Sequence, residues 1–164
     1  MPLISIVITS FNSKKTIERT VNSALSQDWE DTEIIVVDDN SKDASFEILS
    51  NLAENNSKIT LLRHKKNKGY PAALNTAIKE SKGDFIAIFD SDDDNAKNRI
   101  SSQIEKIISY EHKCKKELIL CYSNRDIYKS GQRKRDHIAF AIGRKSPVPN
   151  GNEVAEFILG FPIN

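Results

Sequence analysis

Short apolar segments alternate along this chain with longer segments in which apolar residues recur every three or four positions. The short segments predict β-strands, and the longer ones predict amphipathic α-helices. This alternation predicts an α/β fold with a mostly parallel sheet, helices on both faces and right-handed crossovers. The predicted strands are 3–9, 33–37, 59–63, 85–89 and 118–123, and the predicted helices are 14–27, 43–54, 71–81 and 96–112.

Polar residues at the element ends refine this pattern. Asn12 or Ser13 is expected to cap the first amides of helix 14–27, and Pro71 suits the first turn of the third helix. The pattern weakens beyond residue 124. There we expect a basic turn at 129–135, a strand at 138–142 and a loop at 144–152.

Length and charge set broad limits. The 164 residues are most simply a single domain, residues 1–164, and the formal net charge of +1 gives no reason to expect nucleic acid as a partner. The two cysteines have no metal-ligand spacing, which favours reduced thiols. With neither a signal-peptide pattern nor a membrane-length apolar run, we expect a cytoplasmic protein. Apolar residues close to the last residue suggest a fragment of a longer protein.

The acidic cluster at residues 90–94, Asp-Ser-Asp-Asp-Asp, directly follows the predicted strand 85–89. Carboxylates crowded at a strand end repel one another unless a cation lies nearby, and Mg²⁺ commonly bridges carboxylates to substrate phosphates. The carboxyl edge of an open α/β sheet is also where ligands bind. The alternative for this cluster alone is a solvated acidic turn.

A second acidic pair occupies the equivalent position after another strand. Asp38 and Asp39 lie at the end of the second predicted strand. Asp92 and Asp93 lie just after the fourth predicted strand, and the loop 9–12 follows the first. Because parallel strands share a carboxyl edge, we expect these residues to border one crevice. A hydroxyl, an aromatic ring and several carboxylates there would suit a nucleotide diphosphate and its metal ion.

These segments, taken together, resemble the N-terminal part of a family 2 glycosyltransferase with the GT-A (Rossmann-like) fold. The resemblance covers residues 3 to about 125 in the family's order and spacing, and its specificity comes from several weak motifs in register. The matching segments are 5–12, 24–27, 33–43, 67–69, 72–78 and 83–93.

The resemblance implies roles for the nucleotide-binding residues. Thr9 and Phe11 would line the base and ribose, and Asp39 would contact the base, usually uracil. Asp92 would contact the ribose-diphosphate and, with Asp93, hold the metal ion.

The rest of the acidic (DXD) motif is also assigned by resemblance. Asp90 matches the motif's first acid, which supports the loop and the sugar. Asp94 stands where the family commonly has an apolar residue, and we expect it to be solvated.

The resemblance further implies transfer of a sugar, with inversion, from a nucleotide-diphosphate sugar, usually a UDP-sugar, to a saccharide or lipid-linked acceptor. Mg²⁺ or Mn²⁺ would neutralise the departing diphosphate, and a general base would deprotonate the acceptor. The family's base lies in a later motif with no match here, so the acceptor half is expected to be missing. A lipid-linked acceptor would bring the protein to the inner face of the membrane as a peripheral protein.

Two alternatives remain open from the residues. A sugar nucleotidyltransferase uses a similar sheet and metal, although 9–12 is not a glycine-rich phosphate loop. A nucleotide-binding module without catalysis is the other alternative.

Other polar and aromatic residues have simpler interpretations. His64 is expected at the surface, and Trp29 is expected to pack rather than to bind sugar. The basic residues 65, 66, 68 and 133–135 are interpreted as solvated loops.

Overall fold

The computed structural model describes residues 1–114, 120–122, 125–129, 132–136 and 141–144, with side chains described for residues 1–111 and for Cys121. Strands and helices alternate through the first 114 residues, as the hydrophobic pattern predicts. The strands are β1 (Ile4–Ser10), β2 (Thr32–Asp38), β3 (Ile59–Arg63), β4 (Phe85–Asp90), β5 (Leu120–Tyr122), β6 (Arg125–Lys129), β7 (Gln132–Asp136) and β8 (Ala141–Arg144). The helices are α1 (Ile17–Leu25), α2 (Ser45–Glu54), α3 (Tyr70–Glu80) and α4 (Arg99–Cys114).

The main sheet has the strand order β3-β2-β1-β4-β8-β5. The pairs among β1, β2, β3 and β4 are parallel, whereas β8 runs antiparallel to both β4 and β5. Strands β2 and β3 lie on one side of β1, whereas β4 lies on its other side. This reversal creates a topological switch point between the carboxyl ends of β1 and β4.

Alternate residues of the central strands enter two separate hydrophobic cores, because successive side chains of a strand point to opposite faces. On one face Ile6 and Ile34 pack with residues of α1, α2 and α4, such as Ile104. On the other face Val7 and Ile35 pack against α3. The predicted α/β fold with helices on both faces is therefore confirmed.

The first helix begins later than predicted. The backbone carbonyl of Ser13 accepts hydrogen bonds from the amides of Thr16 and Ile17, both at 2.9 Å, so the preceding residues form a turn. The predicted side-chain cap is wrong, since α1 has no side-chain cap hydrogen bond. Asn12 instead accepts a hydrogen bond from the Lys42 amide.

The later part of the chain also differs from the prediction. The expected basic turn at 129–135 contains most of an antiparallel hairpin formed by β6 and β7. The strand expected at 138–142 is β8, which begins at Ala141. The predicted loop at 145–152 lies outside the described residues.

Two further observations concern the cysteines and a possible membrane span. Cys121 takes no part in a disulfide within the described part of the chain. In the part of the chain that the structure describes, every helix is too short or too polar to cross a bilayer.

Candidate functional site

The switch point brings Thr9 and Asp90 side by side, because they are register partners at the carboxyl ends of β1 and β4. A cavity of about 640 Å³ opens beside them. It is lined by Thr9, Phe11, Asn12, Ser13, Thr16, Tyr70, Asp90, Ser91 and Asp92. The sequence-predicted residues Thr9, Phe11, Asp90 and Asp92 thus share one cavity, whereas Asp39 and Asp93 are not among its lining residues.

The loop after β1 presents an aromatic ring to this cavity. Phe11 is 48% exposed although it is a large apolar side chain. The next residue, Asn12, has a positive φ of 53°, and its amide donates to Ser41 Oγ at 3.0 Å. The Ser13 amide likewise donates to Ser45 Oγ at 2.8 Å. These bonds to the loop after β2 and to the first residue of α2 hold Phe11 at the mouth of the cavity.

Helix α1 tethers the acidic loop after β4. Arg19 donates to the backbone carbonyl of Asp92 at 3.0 Å, and Thr20 Oγ1 donates to that of Asp93 at 2.8 Å. The Asp93 amide closes a turn on the Asp90 carbonyl at 3.1 Å. The tether uses main-chain oxygens, and the Asp92 side chain is exposed to solvent at the cavity.

Asp90 has an unfavourable environment for a carboxylate. Burial, followed by the negative charges of Asp93 and Asp92, raises its pKa. The Tyr70 hydroxyl donates to Asp90 Oδ1 at 3.4 Å and works in the opposite direction. Burial and the Asp90 charge raise the pKa of Tyr70 in turn, which keeps the phenol protonated as a donor.

The buried guanidinium of Arg99 lies beneath the acidic loop. It donates to Asn95 Oδ1 and to the Ile88 carbonyl, and it stacks 4.3 Å from the centre of the Phe89 ring. Burial lowers the pKa of Arg99 to about 10, an effect that the Asp90 charge opposes. Arg99 therefore remains a cation at neutral pH, and its charge offsets part of the repulsion among the carboxylates.

The carboxylates of the acidic loop suit a hard divalent cation whose coordination shell is completed by a bound ligand. Among the side chains that the structure describes, no group of three His, Cys, Asp or Glu residues converges to hold a metal ion. Asp92 and Asp93 nevertheless supply two neighbouring carboxylates, one exposed and one partly exposed. Mg²⁺ typically binds one or two carboxylates together with substrate phosphates. The two residues thus fit an ion whose remaining ligands come from a diphosphate and water.

The acidic pair after β2 is divided between two environments. Asp38 is fully buried, pairs with Arg63 at 3.3 Å (Asp38 Oδ2 to Arg63 Nε) and accepts a hydrogen bond from the Ser41 amide. Asp38 does not line the cavity, although the sequence predicted that it would border the crevice. Asp38 therefore has a structural role at the end of β2.

Asp39 is buried, with 3% of its surface exposed. Its carboxylate accepts hydrogen bonds from His64 Nδ1 at 2.6 Å and from the backbone amides of Lys68 and Gly69, the latter at 2.7 Å. Burial would raise the pKa of Asp39, but these amides and His64 outweigh it and lower the pKa. Asp39 is thus held as a carboxylate.

Two residues of this region were missed from the sequence. His64 was predicted at the surface, which is wrong, since it is 8% exposed and bonded to Asp39. Its position directly after β3, next to the strand that ends before Asp39, is the signal that could have found it. Tyr70 lines the cavity at the first residue of α3, and an aromatic residue at a helix start on the carboxyl edge is its signal.

The predictions for Asp94, Lys65, Lys66 and Trp29 agree with the structure, whereas residues 133–135 belong to β7 and their side chains lie outside the described ones. Asp94 is exposed, as are Lys65 and Lys66. Trp29 packs against the hydrophobic core, and its indole N–H donates to the Pro2 carbonyl at 3.0 Å.

The fold and the cavity define a GT-A type α/β domain, built as in glycosyltransferases. The chain belongs to glycosyl transferase family 2, whose family model matches residues 5–148.

Curated relatives agree with this assignment. The chain is 42% identical over 104 residues to an Escherichia coli protein named UDP-Glc:alpha-D-GlcNAc-diphosphoundecaprenol beta-1,3-glucosyltransferase WfaP, and this match covers 63% of the chain and 41% of the relative. It is 30% identical over 107 residues to a Campylobacter jejuni GalNAc(5)-diNAcBac-PP-undecaprenol beta-1,3-glucosyltransferase, covering 65% of the chain and 35% of that relative. The chain thus spans less than half the length of these relatives.

Solved structures show the same fold. The S. aureus TarS fragment 1–349 in complex with UDP-GlcNAc superposes with a TM-score of 0.59 and 26% identity, covering 72% of this chain and 33% of that one. The mannosyltransferase PcManGT from Pyrobaculum calidifontis, in complex with GDP-Man and Mn²⁺, superposes with a TM-score of 0.66 over 98% of this chain and 48% of that one. At 20% identity this second likeness concerns the fold alone.

Proposed function

We propose that this domain binds a UDP-sugar with a divalent cation and forms the donor half of an inverting glycosyltransferase. The observation that carries the proposal is the meeting of Thr9, Phe11, Asp90 and Asp92 in one cavity at the switch point of the sheet. Open α/β sheets bind their ligands at such points. Family membership supports the transferase class and favours it over a sugar nucleotidyltransferase.

The nucleoside is assigned to the side of the cavity nearest β1. Phe11 offers an exposed ring for packing on the base or ribose, and Thr9 offers a hydroxyl at the strand end. Asp39 is proposed to accept a hydrogen bond from the base, which suits its low pKa because an ionised carboxylate is purely an acceptor.

The diphosphate and the sugar are assigned to the acidic side. Asp92 and Asp93 would hold Mg²⁺ or Mn²⁺, which supplies Lewis-acid stabilisation of the departing diphosphate when bound. Asp90, oriented by the Tyr70 hydroxyl, is proposed to support the acidic loop and to face the sugar. Arg99 keeps the carboxylates close together by offsetting their charge.

The relatives indicate a class of acceptor. Two of them are named for glucosyl transfer to sugars on diphosphoundecaprenol carriers. We propose a saccharide or lipid-linked acceptor for this protein too, with glycan synthesis at the inner, cytoplasmic face of a membrane as its setting. The general base that takes the proton of the acceptor hydroxyl is proposed to belong to a part of the protein outside this chain.

Isothermal titration calorimetry of UDP in the presence of Mn²⁺ tests donor binding. We expect binding by the unmodified chain and a loss of at least tenfold in the Asp92→Ala plus Asp93→Ala variant. The exposed neighbour Asp94 provides the matched control, since Asp94→Ala should retain the affinity. Absence of UDP binding, or equal binding by all variants, would contradict the proposal.

A transfer assay distinguishes an enzyme from a binding module. The unmodified chain with a UDP-sugar and a lipid-linked saccharide is expected to turn over far more slowly than ~1 per second. Fast turnover would show that the base lies within this chain. If longer versions that include the relatives' remaining length bind UDP but give no product, the domain is a nucleotide-binding module.

A further inference from the structure

His64 connects three elements at the carboxyl edge of the sheet. Its backbone amide donates to the Asp38 carbonyl at 2.9 Å, which extends the pairing of β3 with β2 by one residue. Its side chain is buried, with Nδ1 at 2.6 Å from Asp39 Oδ1 and Nε2 at 2.9 Å from Thr76 Oγ1 on α3. Both ring nitrogens are therefore engaged by the protein.

The direction of the bond to Asp39 follows from the state of that carboxylate. Asp39 is ionised, so it can only accept hydrogen bonds, and Nδ1 of His64 must donate. A donor on a charged acceptor makes a stronger bond than a neutral pair. His64 thus holds one oxygen of Asp39 in a defined direction.

Both oxygens of the Asp39 carboxylate are engaged by the protein. Oδ1 accepts hydrogen bonds from His64 Nδ1 and the Lys68 amide, and Oδ2 accepts from the Gly69 amide and from the same Lys68 amide at 3.1 Å. These four contacts occupy the four acceptor sites of an ionised carboxylate. Because the Lys68 amide is shared between the two oxygens, one of its two contacts can give way to a donor of the base while the other contact and the bond from His64 stay in place.

The same carboxylate also organises the start of α3. The two backbone amides that donate hydrogen bonds to Asp39 belong to the turn just before Tyr70. In this turn Gly69 has a positive φ of 84°, which favours glycine. Tyr70 is the first residue of α3 and is 47% exposed on the cavity wall. A displaced Asp39 would release this turn and with it the wall.

We propose that His64 is a positioning residue of the donor site, which fixes the Asp39 carboxylate for the nucleotide base and ties it to α3 through Thr76. The inference rests on the proposed function, because it takes Asp39 to belong to the nucleotide site.

A matched pair of substitutions at one position tests the role of the Nδ1 donor. In His64→Asn the amide nitrogen takes the place of Nδ1 and can still donate to Asp39. In His64→Gln the amide takes the place of Nε2, so the contact with Thr76 is retained and the donor to Asp39 is lost. We expect UDP affinity, measured by calorimetry with Mn²⁺, to stay within about threefold in His64→Asn and to fall about tenfold or more in His64→Gln.

Base preference is the readout that a purely structural role would not change. His64→Gln is expected to lose most of the preference for UDP over GDP, because a misplaced Asp39 no longer reads the base. Equal affinity of His64→Gln and the unmodified chain for UDP would overturn the inference, as would equal losses in both variants. If the unmodified chain binds no UDP, the proposed function fails instead.

A measurement on the unmodified chain remains decisive if His64→Gln does not fold. The imidazole nitrogens of His64 can be followed by NMR in ¹⁵N-histidine-labelled protein. Saturation with UDP and Mn²⁺ should shift the Nδ1 signal of His64. An unchanged Nδ1 signal on saturation would refute the positioning role.

Discussion

The Tyr70 hydroxyl donates to Asp90 Oδ1 at 3.4 Å and so joins the first turn of α3 to the end of β4 across the cavity. Burial raises the pKa of Asp90, and this hydrogen bond opposes that rise in part. Tyr70→Phe removes the donor and leaves the ring. We expect the pKa of Asp90 to rise further above its ordinary value, so that the carboxyl takes up its proton at higher pH. A ¹³C NMR titration of the side-chain carboxyl measures this change.

The ring of Tyr70 should matter more for binding than its hydroxyl. Tyr70→Ala opens the cavity wall and is expected to weaken UDP-sugar binding by about two- to tenfold, the range for one aromatic contact, whereas Tyr70→Phe should weaken it less. The exposed Tyr110 on α4 offers a control outside the cavity. A loss in Tyr110→Ala equal to that in Tyr70→Ala would show that the effect does not come from the cavity.

Metal and nucleotide are expected to bind together. Because no third protein carboxylate completes the pair Asp92 and Asp93 among the described residues, Mn²⁺ alone should bind weakly. Saturating UDP should tighten Mn²⁺ binding at least tenfold, and Mn²⁺ should tighten UDP binding by the same factor. Electron paramagnetic resonance of free Mn²⁺ measures the first effect and calorimetry the second. Identical Mn²⁺ affinity with and without UDP would contradict the expectation.

Asp39 should contribute a pH-dependent part of the stability. Its pKa is lower in the folded chain than its ordinary value of 3.8. Its stabilising effect is therefore fully present above that ordinary value and is lost as the pH falls through the lower, folded pKa. Asp39→Asn should reduce the free energy of unfolding by about 1–3 kcal/mol at neutral pH, and the difference should shrink in acid.

Urea unfolding at a series of pH values measures this difference. Asp94→Asn is the matched control, because Asp94 is exposed and should give no difference at any pH. A deficit in Asp39→Asn that stays constant from neutral pH to pH 2 would show that the Asp39 charge is not its source.

Gly83 offers a test of stability away from the cavity. A Cβ at this position would lie 2.6 Å from both the amide nitrogen and the Oγ of Ser5, at the opposite edge of the sheet. Gly83→Ala should lower the free energy of unfolding by about 1–3 kcal/mol through overpacking, with UDP affinity unchanged in the folded fraction. Thermal unfolding measures the change in stability, and calorimetry measures the UDP affinity. Lys82→Ala, at the exposed neighbouring residue, serves as the control.

Much of the fold could be predicted because burial acts on whole segments. A strand with both faces covered must be apolar throughout, as in Ile34–Val37, and helices that cover a sheet must repeat their apolar residues every three or four positions. The start of α1 could not be found in this way. The turn at Ser13–Thr16 competes with the first helical turn through backbone hydrogen bonds, which leave no hydrophobic signal.

The site was predicted less completely, for reasons that single residues make clear. Asp38 ends β2 and pairs with Arg63, whereas Asp39 follows the strand and is bonded to His64, and the position of a carboxylate at a strand end does not reveal such partners. Periodicity also carries no information on a single residue such as His64, whose burial depends on which strand lies beside β3. Strand order is a property of the tertiary structure, and the contact between His64 and Asp39 follows from it.

Strand β1 is hydrogen-bonded on both sides for nearly its whole length, to β2 from Ile4 to Ser10 and to β4 from Ile4 to Thr9. The main-chain positions of Thr9 and Asp90 are therefore set by the sheet, and the adjoining loops 11–16 and 91–98, apart from Phe11, Asp92 and Asp93, can change in sequence without moving them. Protein engineers could exploit this division by exchanging those loops to alter the choice of sugar. Hydrogen exchange should accordingly be slowest in β1 and should remain so in every loop-exchanged variant.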